Sequence, residues 1–267
     1  MNIPISVIVL TYNSARYIES CLTSVLAFEE VVVYDNGSVD ETVAIVSRFA
    51  NAKLIQGPFI GFGPMRRLAT RQARHDWVLA LDSDELLTPN LVEEIKSLKL
   101  DPHTVYAVSR INHYRGVAVH CCGWYPDFVV RLFNRDVAGY SERLVHESVL
   151  LPVGGVVQKL RGHINHYPFE GVTDLIDKMQ KYSSLYAQQH AHTRGTSTLV
   201  AALKAWVAFI KNYFFQRGVL EGSAGFLISV SNATGVFYKY MKLREINMSD
   251  CPGIGQLPTL KSEKQET

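Results

Sequence analysis

Trp77–Glu85 reads WVLALDSDE. An apolar run over Trp77–Leu81 with no alternation suits a strand buried on both faces of a parallel sheet. The run then breaks into acids, so Asp82 and Asp84 emerge at the strand's carboxyl end with Ser83 between them. Two earlier stretches have the same build. Ile5–Leu10 runs into Thr11-Tyr12-Asn13, and Glu30–Tyr34 (EVVVY) runs into Asp35-Asn36-Gly37-Ser38. Between them Tyr17–Leu26 and Pro64–Ala73 have helical spacing, and Asp40–Phe49 reads as a helix with Asp40 as its N-cap. Lys53–Gln56 is a short third strand. Strands alternating with helices predict an α/β fold, a mostly parallel sheet with helices on both faces. Ligands of such sheets lie beyond the carboxyl ends of the strands, where all of these polar clusters fall.

Farther along, the pattern changes. Tyr106–Arg110, Phe128–Phe133 and Leu144–Leu151 are short alternating stretches among Gly, Pro and aromatic residues, which predicts an antiparallel extension of the sheet. After Gly171 the chain reads as helical to about Gln189. Thr198–Arg244 is apolar but punctuated. Lys204 and Lys211, seven apart, share a helix face among Trp206, Val207, Phe209, Tyr213, Phe214 and Phe215, as in a helix lying at a membrane surface. A helical pair packed on the preceding domain is the plainer alternative. The expected organisation is a catalytic α/β domain over 1–170 (halves 1–100 and 101–170), a helical and possible membrane-surface extension over 171–248, and a polar tail over 249–267.

Bulk composition narrows the function. Of 267 residues 47% are hydrophobic, enough for a large core, and 19% are charged, below the usual quarter, which hints at an apolar partner. A net charge of +2 is too small for a general nucleic-acid binder, so no nucleic-acid partner is expected. Cys21, Cys121, Cys122 and Cys251 form no CxxC pair, which fits a reducing cytoplasm better than a zinc site or a disulfide framework. The run Ile3–Leu10 lacks a basic leader and reads as a strand, not a signal peptide. No stretch reads as an uninterrupted membrane span.

Chemistry gathers at the strand ends. Asp82 and Asp84 are placed to share one hard cation, Mg²⁺ or Mn²⁺, which prefers oxygen ligands and often bridges carboxylates to substrate phosphates. A diphosphate leaving group needs that neutralisation. The bland alternative is Asp84 or Ser83 capping a following helix. Asp35 can accept from a base N–H or a ribose hydroxyl, whereas Asp40 reads as a cap. Thr11, Tyr12 and Asn13 can line a nucleobase, or form an ordinary strand-to-helix loop. Gly57–Arg67 (GPFIGFGPMRR) offers open backbone followed by Arg66 and Arg67, whose guanidiniums suit phosphate. Trp124 and Tyr125 can stack on a sugar face, and Arg131 can pair with an acidic acceptor or with Asp127. His146 is a candidate for orienting an acceptor, and His163 with His166 (HINH) is a weak metal candidate.

Ser6–Asn13 (SVIVLTYN), Asp35–Asp40 (DNGSVD) and Asp82–Glu85 (DSDE), in this order and spacing, resemble family 2 glycosyltransferases of the GT-A fold. That likeness covers roughly residues 4–90. Gly123–Asp127 (GWYPD), Arg131-Leu132-Phe133 and Val145-His146-Glu147 resemble a subgroup that builds the bacterial lipopolysaccharide inner core and includes β-1,4-glucosyltransferases, extending the likeness less specifically to about 245. Arg66-Arg67 departs from the Arg-Asn pair common in the wider family. The resemblance implies inverting, direct-displacement transfer from a nucleotide-sugar donor, a UDP-sugar by the subgroup. It implies a lipid-linked saccharide acceptor at the inner face of the cytoplasmic membrane, so a peripheral enzyme. It also implies a carboxylate base from the second half, Glu147 with Asp127 in reserve. Metal by Asp84 and Asp82, nucleotide sugar by Thr11, Tyr12, Asn13, Asp35, Arg66, Arg67, Asp82 and Ser83, and acceptor by Trp124, Tyr125, Arg131 and His146 complete the expectation. One rival is a sugar nucleotidyltransferase, which would open with a Gly-rich loop after its first strand, absent from Thr11–Ser14. A non-catalytic nucleotide-sugar-binding scaffold is the other.

Overall fold

The structure is a computed structural model that describes residues 2–142 and 148–249. His146 and Glu147 lie outside the described residues, as do the other residues of 143–147 and the tail from 250. The chain divides into two compact units, one of residues 1–120 and 124–168, the other of 121–123 and 169–267.

The first unit is built on β1 (Ile3–Thr11), β2 (Phe28–Asp35), β3 (Ala52–Gln56), β4 (Trp77–Asp82) and β5 (Glu85–Leu87). The helices α1 (Ile18–Ser24), α2 (Thr42–Val46), α3 (Phe62–Arg71) and α4 (Pro89–Ser97) alternate with them. Then come β6 (Thr104–Tyr114), β7 (Val117–Ala118), β8 (Asp127–Asn134), β9 (Gly139–Tyr140), β10 (Val149–Leu150) and the long β11 (Val156–Phe169). One sheet runs β3-β2-β1-β4-β8-β6-β11-β5, with β7 on β6, and β9 pairs β10 separately. β1 is parallel to β2 and β4, and β2 to β3, whereas β8 joins β4 and β6 antiparallel. The parallel half and its antiparallel extension are therefore both present, as the sequence predicts.

The apolar runs lack alternation because both faces of the sheet are covered. Val7, Val9, Val31, Val33, Leu79 and Leu81 bury into one core with Ile18 and Leu22 of α1 and Leu91 of α4. Ile8, Leu10, Val32, Val78 and Ala80 bury into the other, against Met65 and Ala69 of α3. Two glycines ahead of α3 are required by geometry. Gly61 has φ 101°, and a Cβ at Gly57 would stand 2.3 Å from the Tyr34 hydroxyl.

The helix expected over Asp40–Phe49 shrinks to Thr42–Val46, and Asp40 is not its cap. Instead its carboxylate accepts from Thr42 N (3.0 Å), Thr42 Oγ1 and Ala15 N (3.1 Å), tying the loops after β1 and β2 together. The Thr42 hydroxyl bond, against an opposing push from burial, holds the Asp40 pKa below its ordinary value.

The second unit holds α5 (Val172–His190), α6 (Thr198–Ile210), a π-helical turn (Lys211–Phe215), a 3₁₀ turn (Gly218–Glu221) and α7 (Gly222–Ser249). Asp174 starts α5 by accepting from Gly171 N (3.1 Å), and Ser197 caps α6 by accepting from Val200 N. Lys242 of α7 donates to Gln180 Oε1, Ser183 Oγ and Ser184 Oγ of α5, at 2.8–2.9 Å. The turn into α7 is tight, since a Cβ on Gly225 would lie 1.9 Å from the Gly218 carbonyl. Thr198–Phe215 is, by length and composition only, long and apolar enough to cross a membrane, where the sequence alone suggested no span.

Candidate functional site

The parallel register sets the three polar clusters side by side. Thr11 stands opposite Asp35 across β1 and β2, and Leu10 opposite Asp82 across β1 and β4. Side chains then lace the loops. Asn13, at φ 47°, donates from its N–H to Ser38 Oγ (2.8 Å) and accepts from Val39 N on Oδ1 (2.9 Å). Ser14 Oγ lies 2.7 Å from Ser83 Oγ, joining the first loop to the third. Asp35 is fully buried and spends its carboxylate on Gly37 N, Ser38 N and Ser38 Oγ, so it shapes the second loop from within. Tyr12 is 56% exposed at the mouth of this cluster, while the Thr11 hydroxyl is buried without a hydrogen-bond partner among the described residues.

Beneath the loops runs a ladder of alternating charge. Asp82 Oδ1 accepts from Arg66 and Asp82 Oδ2 from Arg131 (2.9 Å). Arg131 also donates to Glu85, which accepts from Arg110 (3.2 Å) and, through Oε2, from Asp82 N (3.0 Å). Arg110 closes the ladder on Asp127 through Nε (2.9 Å) and its terminal nitrogen (2.7 Å). Burial pushes the Asp82 pKa up, but Arg66, Arg131 and His166 push harder the other way, so the carboxyl is held well below the usual range. The same balance raises Arg131: burial lowers its pKa, and Glu85 and Asp82 outweigh it.

A pH dependence follows from the depressed Asp82 pKa. The stability it lends is fully present above the ordinary carboxylate pKa of about 3.9 and fades as pH falls below it toward the folded-state value. Denaturant unfolding between about pH 4 and pH 2 is expected to show a steeper loss in the wild type than in Asp82→Asn. Equal slopes would remove Asp82 from the acid response.

Asp84 lies apart from this ladder, in the β4–β5 turn, with no helix following for it to cap. Strand register brings β11 against β5 with His166 opposite Glu85, and His166 Nε2 lies 3.4 Å from Asp84 Oδ2. The proton positions follow from hydrogen bonds. Asn112 Nδ2 donates to the Trp124 carbonyl (3.0 Å), so Asn112 Oδ1 faces His166 Nδ1 at 2.6 Å and accepts a hydrogen bond from it. His166 Nε2 then faces the Asp84 carboxylate. Tyr167, next in the strand, stacks on His113 (4.4 Å between ring centres) and on Tyr17 (5.8 Å), walling this side. Burial lowers the His113 pKa, which favours its neutral form.

Several expectations change. Arg131 pairs with Asp82 and Glu85, not Asp127, because it lies on β8 next to β4 and its side chain is buried beside those acids; Arg110 takes Asp127. Arg66 is buried over the Tyr140 ring, whereas Arg67 turns outward to Glu142 (2.8 Å), so the two arginines do not share a ligand. Asp82, expected at a metal, meets two guanidiniums, and Asp84 faces the His166 ring. Tyr125 is exposed and meets His120 edge-on (4.9 Å), while Trp124 contributes its carbonyl to Asn112. Glu85, Arg110 and Asn112 escaped the sequence reading, and His166 was undervalued. Only the pairing of β11 with β5 brings that histidine to Asp84.

Comparison with known proteins follows this geometry. The family model for glycosyl transferase family 2 matches residues 6–119. An uncharacterized glycosyltransferase of Rickettsia typhi is 29% identical over 91% of this chain and 88% of its own length. The lipopolysaccharide core biosynthesis glycosyltransferase LpsC of Rhizobium meliloti is 25% identical over 90% and 92%. Among solved structures, a mannosyltransferase of Pyrobaculum calidifontis, in complex with GDP-Man and Mn²⁺, superposes with a TM-score of 0.54 at 17% identity, covering 91% of this chain and 87% of that one. The likeness is one of fold, GT-A.

Proposed function

The chain is a family 2 glycosyltransferase, and from that premise we propose that it transfers a hexose from a nucleotide-sugar donor, with inversion, to a lipopolysaccharide-core or similar lipid-linked saccharide. The donor nucleotide lies across the loops after β1 and β2, with the exposed Tyr12 beside the base. Glucose from UDP-glucose is the transfer that the inner-core subgroup suggests. The acceptor reading draws on the LpsC relative, alike along nearly the whole of both chains. Its lipid anchor puts the reaction at a membrane face, on the cytoplasmic side where nucleotide sugars are made.

The observation that carries the donor reading is the opposed pair Asp84 and His166. One carboxylate and one imidazole suit a divalent ion that completes its shell with phosphate oxygens, and the nitrogen favours Mn²⁺ over Mg²⁺. When bound, that ion supplies charge neutralisation to the departing diphosphate. Asp82 plays another part. It holds Arg66 and Arg131 in place, so that the strand end keeps its shape while Ser83 meets Ser14 and Asp84 faces His166.

Calorimetric titration of a nucleotide-sugar panel, with and without Mn²⁺, tests this directly. Metal-dependent binding of one nucleotide sugar is expected. Asp84→Ala and His166→Ala should each weaken that binding by at least about tenfold, a loss of roughly 1.4 kcal/mol or more, while metal-independent nucleotide binding persists. Wild-type affinity in His166→Ala would exclude it from the metal site. Absence of binding to any donor would overturn the glycosyl-transfer reading, and release of pyrophosphate would mark a nucleotidyltransferase instead.

A further inference from the structure

The helical unit leaves an apolar face uncovered. Along α6 and the π-helical turn, Leu199, Leu203, Trp206, Val207 and Phe214 recur at spacings of three, four and seven, one stripe of a helix. Leu199 is 79% exposed, Trp206 63%, and Phe215 just beyond the stripe 81%. Ala201 and the half-buried Phe209 lie on the opposite side, Phe209 edge-on to Phe226 of α7 (5.9 Å). An open apolar groove of about 290 Å³ runs beside the stripe between α6 and α7, lined by Trp206, Phe209, Val230 and Phe237. Monomeric surfaces seldom show so continuous an apolar patch without a partner for it.

Charge selects the partner. From Ser197 to Arg217 the charged residues are Lys204, Lys211 and Arg217, and none is acidic. A second copy meeting this face about a twofold axis would bring that basic set against itself. A leaflet with anionic headgroups would neutralise it. The geometry points to α6 and its π-helical turn as an in-plane anchor, with Leu203, Trp206 and Phe215 among the acyl chains and Lys204, Lys211 and Arg217 on anionic phospholipid headgroups.

Crossing the bilayer fits less well. α6 and its π-helical turn together are 18 residues, about 27 Å at 1.5 Å per residue, against a hydrocarbon core of about 30 Å. Lys204 and Lys211 would also fall inside the core. Lying flat, both ammonium groups reach the headgroups on their own aliphatic stems. Lys204 already donates to the Tyr240 hydroxyl (3.1 Å), which places its charge at the edge of the stripe. The anchor deepens the membrane placement proposed above and rests on it only for its biological purpose, because lipid binding requires neither donor nor acceptor.

Flotation of the purified full-length chain tests the anchor. Vesicles of phosphatidylcholine alone are compared with vesicles in which phosphatidylglycerol replaces a third of it. The protein is expected to float with the anionic vesicles, to detach in high salt, and to bind neutral vesicles far more weakly. Trp206 fluorescence should shift to the blue on binding, and Trp206→Phe should lose that shift while still floating. Leu203→Glu with Phe215→Glu should abolish flotation while leaving donor titration unchanged. Lys204→Gln with Lys211→Gln, a milder surface change, should weaken it by roughly fivefold per charge. Failure to float with anionic vesicles would overturn the anchor and leave the transfer reading intact. A lipid-free dimer dissolved by the Glu substitutions would make a second copy the occupant. Resistance of the membrane-bound protein to salt and alkaline extraction would replace the in-plane anchor with a crossing helix.

Discussion

Glu147→Gln is expected to reduce transfer by about 10²–10⁴-fold while leaving Mn²⁺-dependent donor binding within about twofold of wild type. Direct displacement at an anomeric carbon needs a base for the acceptor hydroxyl, and glutamine keeps the shape of glutamate without its capacity to take a proton. Glu147 lies outside the described residues, and Ser141 and Ser148 stand on either side of that segment. Ser141 N donates to the Ser148 carbonyl (2.9 Å), and Ser148 N returns a bond to Ser141 Oγ (3.2 Å). Tyr140, adjacent to Ser141, lies under the Arg66 guanidinium that holds Asp82. Ser141 and Ser148 are thereby linked, through Tyr140 and Arg66, to Asp82 at the strand end. Asp127 starts with a handicap as a base, because it is held by two nitrogens of Arg110 and would have to leave that pair to reach a hydroxyl. Single-turnover transfer measured beside donor titration separates the two. Full activity in Glu147→Gln with loss in Asp127→Asn would reverse the assignment, and joint loss of donor affinity and transfer in Glu147→Gln would make Glu147 a binding residue.

Which parts of this site the sequence reveals follows from how far apart the partners are along the chain. The parallel half is legible because each apolar run ends in its own polar cluster, so WVLALDSDE carries both the strand and its acids within nine residues. The loops after β1, β2 and β4 are read correctly as neighbours from topology alone. Asp35 and Asp40 are visible as acids, but nothing local tells that both turn inward, one onto Gly37 and Ser38, the other onto Ala15 and Thr42. Arg131, Arg110 and His166 lie on β8, β6 and β11, and their partners are set by strand order and register across dozens of residues. Glu85 is hardest of all. After Asp84 an acid looks like a first-turn helix residue, and only the short strand β5 turns it into the core.

That burial makes Glu85 the most expensive residue of the site to remove. Its side chain is fully buried and accepts from Arg131, Arg110 and the Asp82 backbone N–H. Glu85→Ala would leave Arg131, itself nearly buried, with Asp82 alone, and would orphan a backbone donor at the end of β4. Breaking a buried pair by deleting one partner costs about 3–5 kcal/mol, which for a chain of this size lowers Tm by roughly 6–20 °C. Glu85→Gln keeps an oxygen for Asp82 N and loses only the charge, so its loss should be smaller. The same substitution reaches function through geometry. With Glu85 neutral, Arg131 is drawn onto Asp82, the turn of Ser83 and Asp84 loses its fixed base, and Mn²⁺-dependent donor affinity should fall at temperatures where Glu85→Gln is still folded. Thermal unfolding followed by circular dichroism, with donor titration on the glutamine variant, measures both. A Glu85→Ala protein within about 1 kcal/mol of wild type would show that the ladder is a solvated surface pair, whereas a destabilised Glu85→Gln with unchanged donor affinity would confine the ladder to stability and leave Asp84 and His166 positioned by β5 and β11 alone.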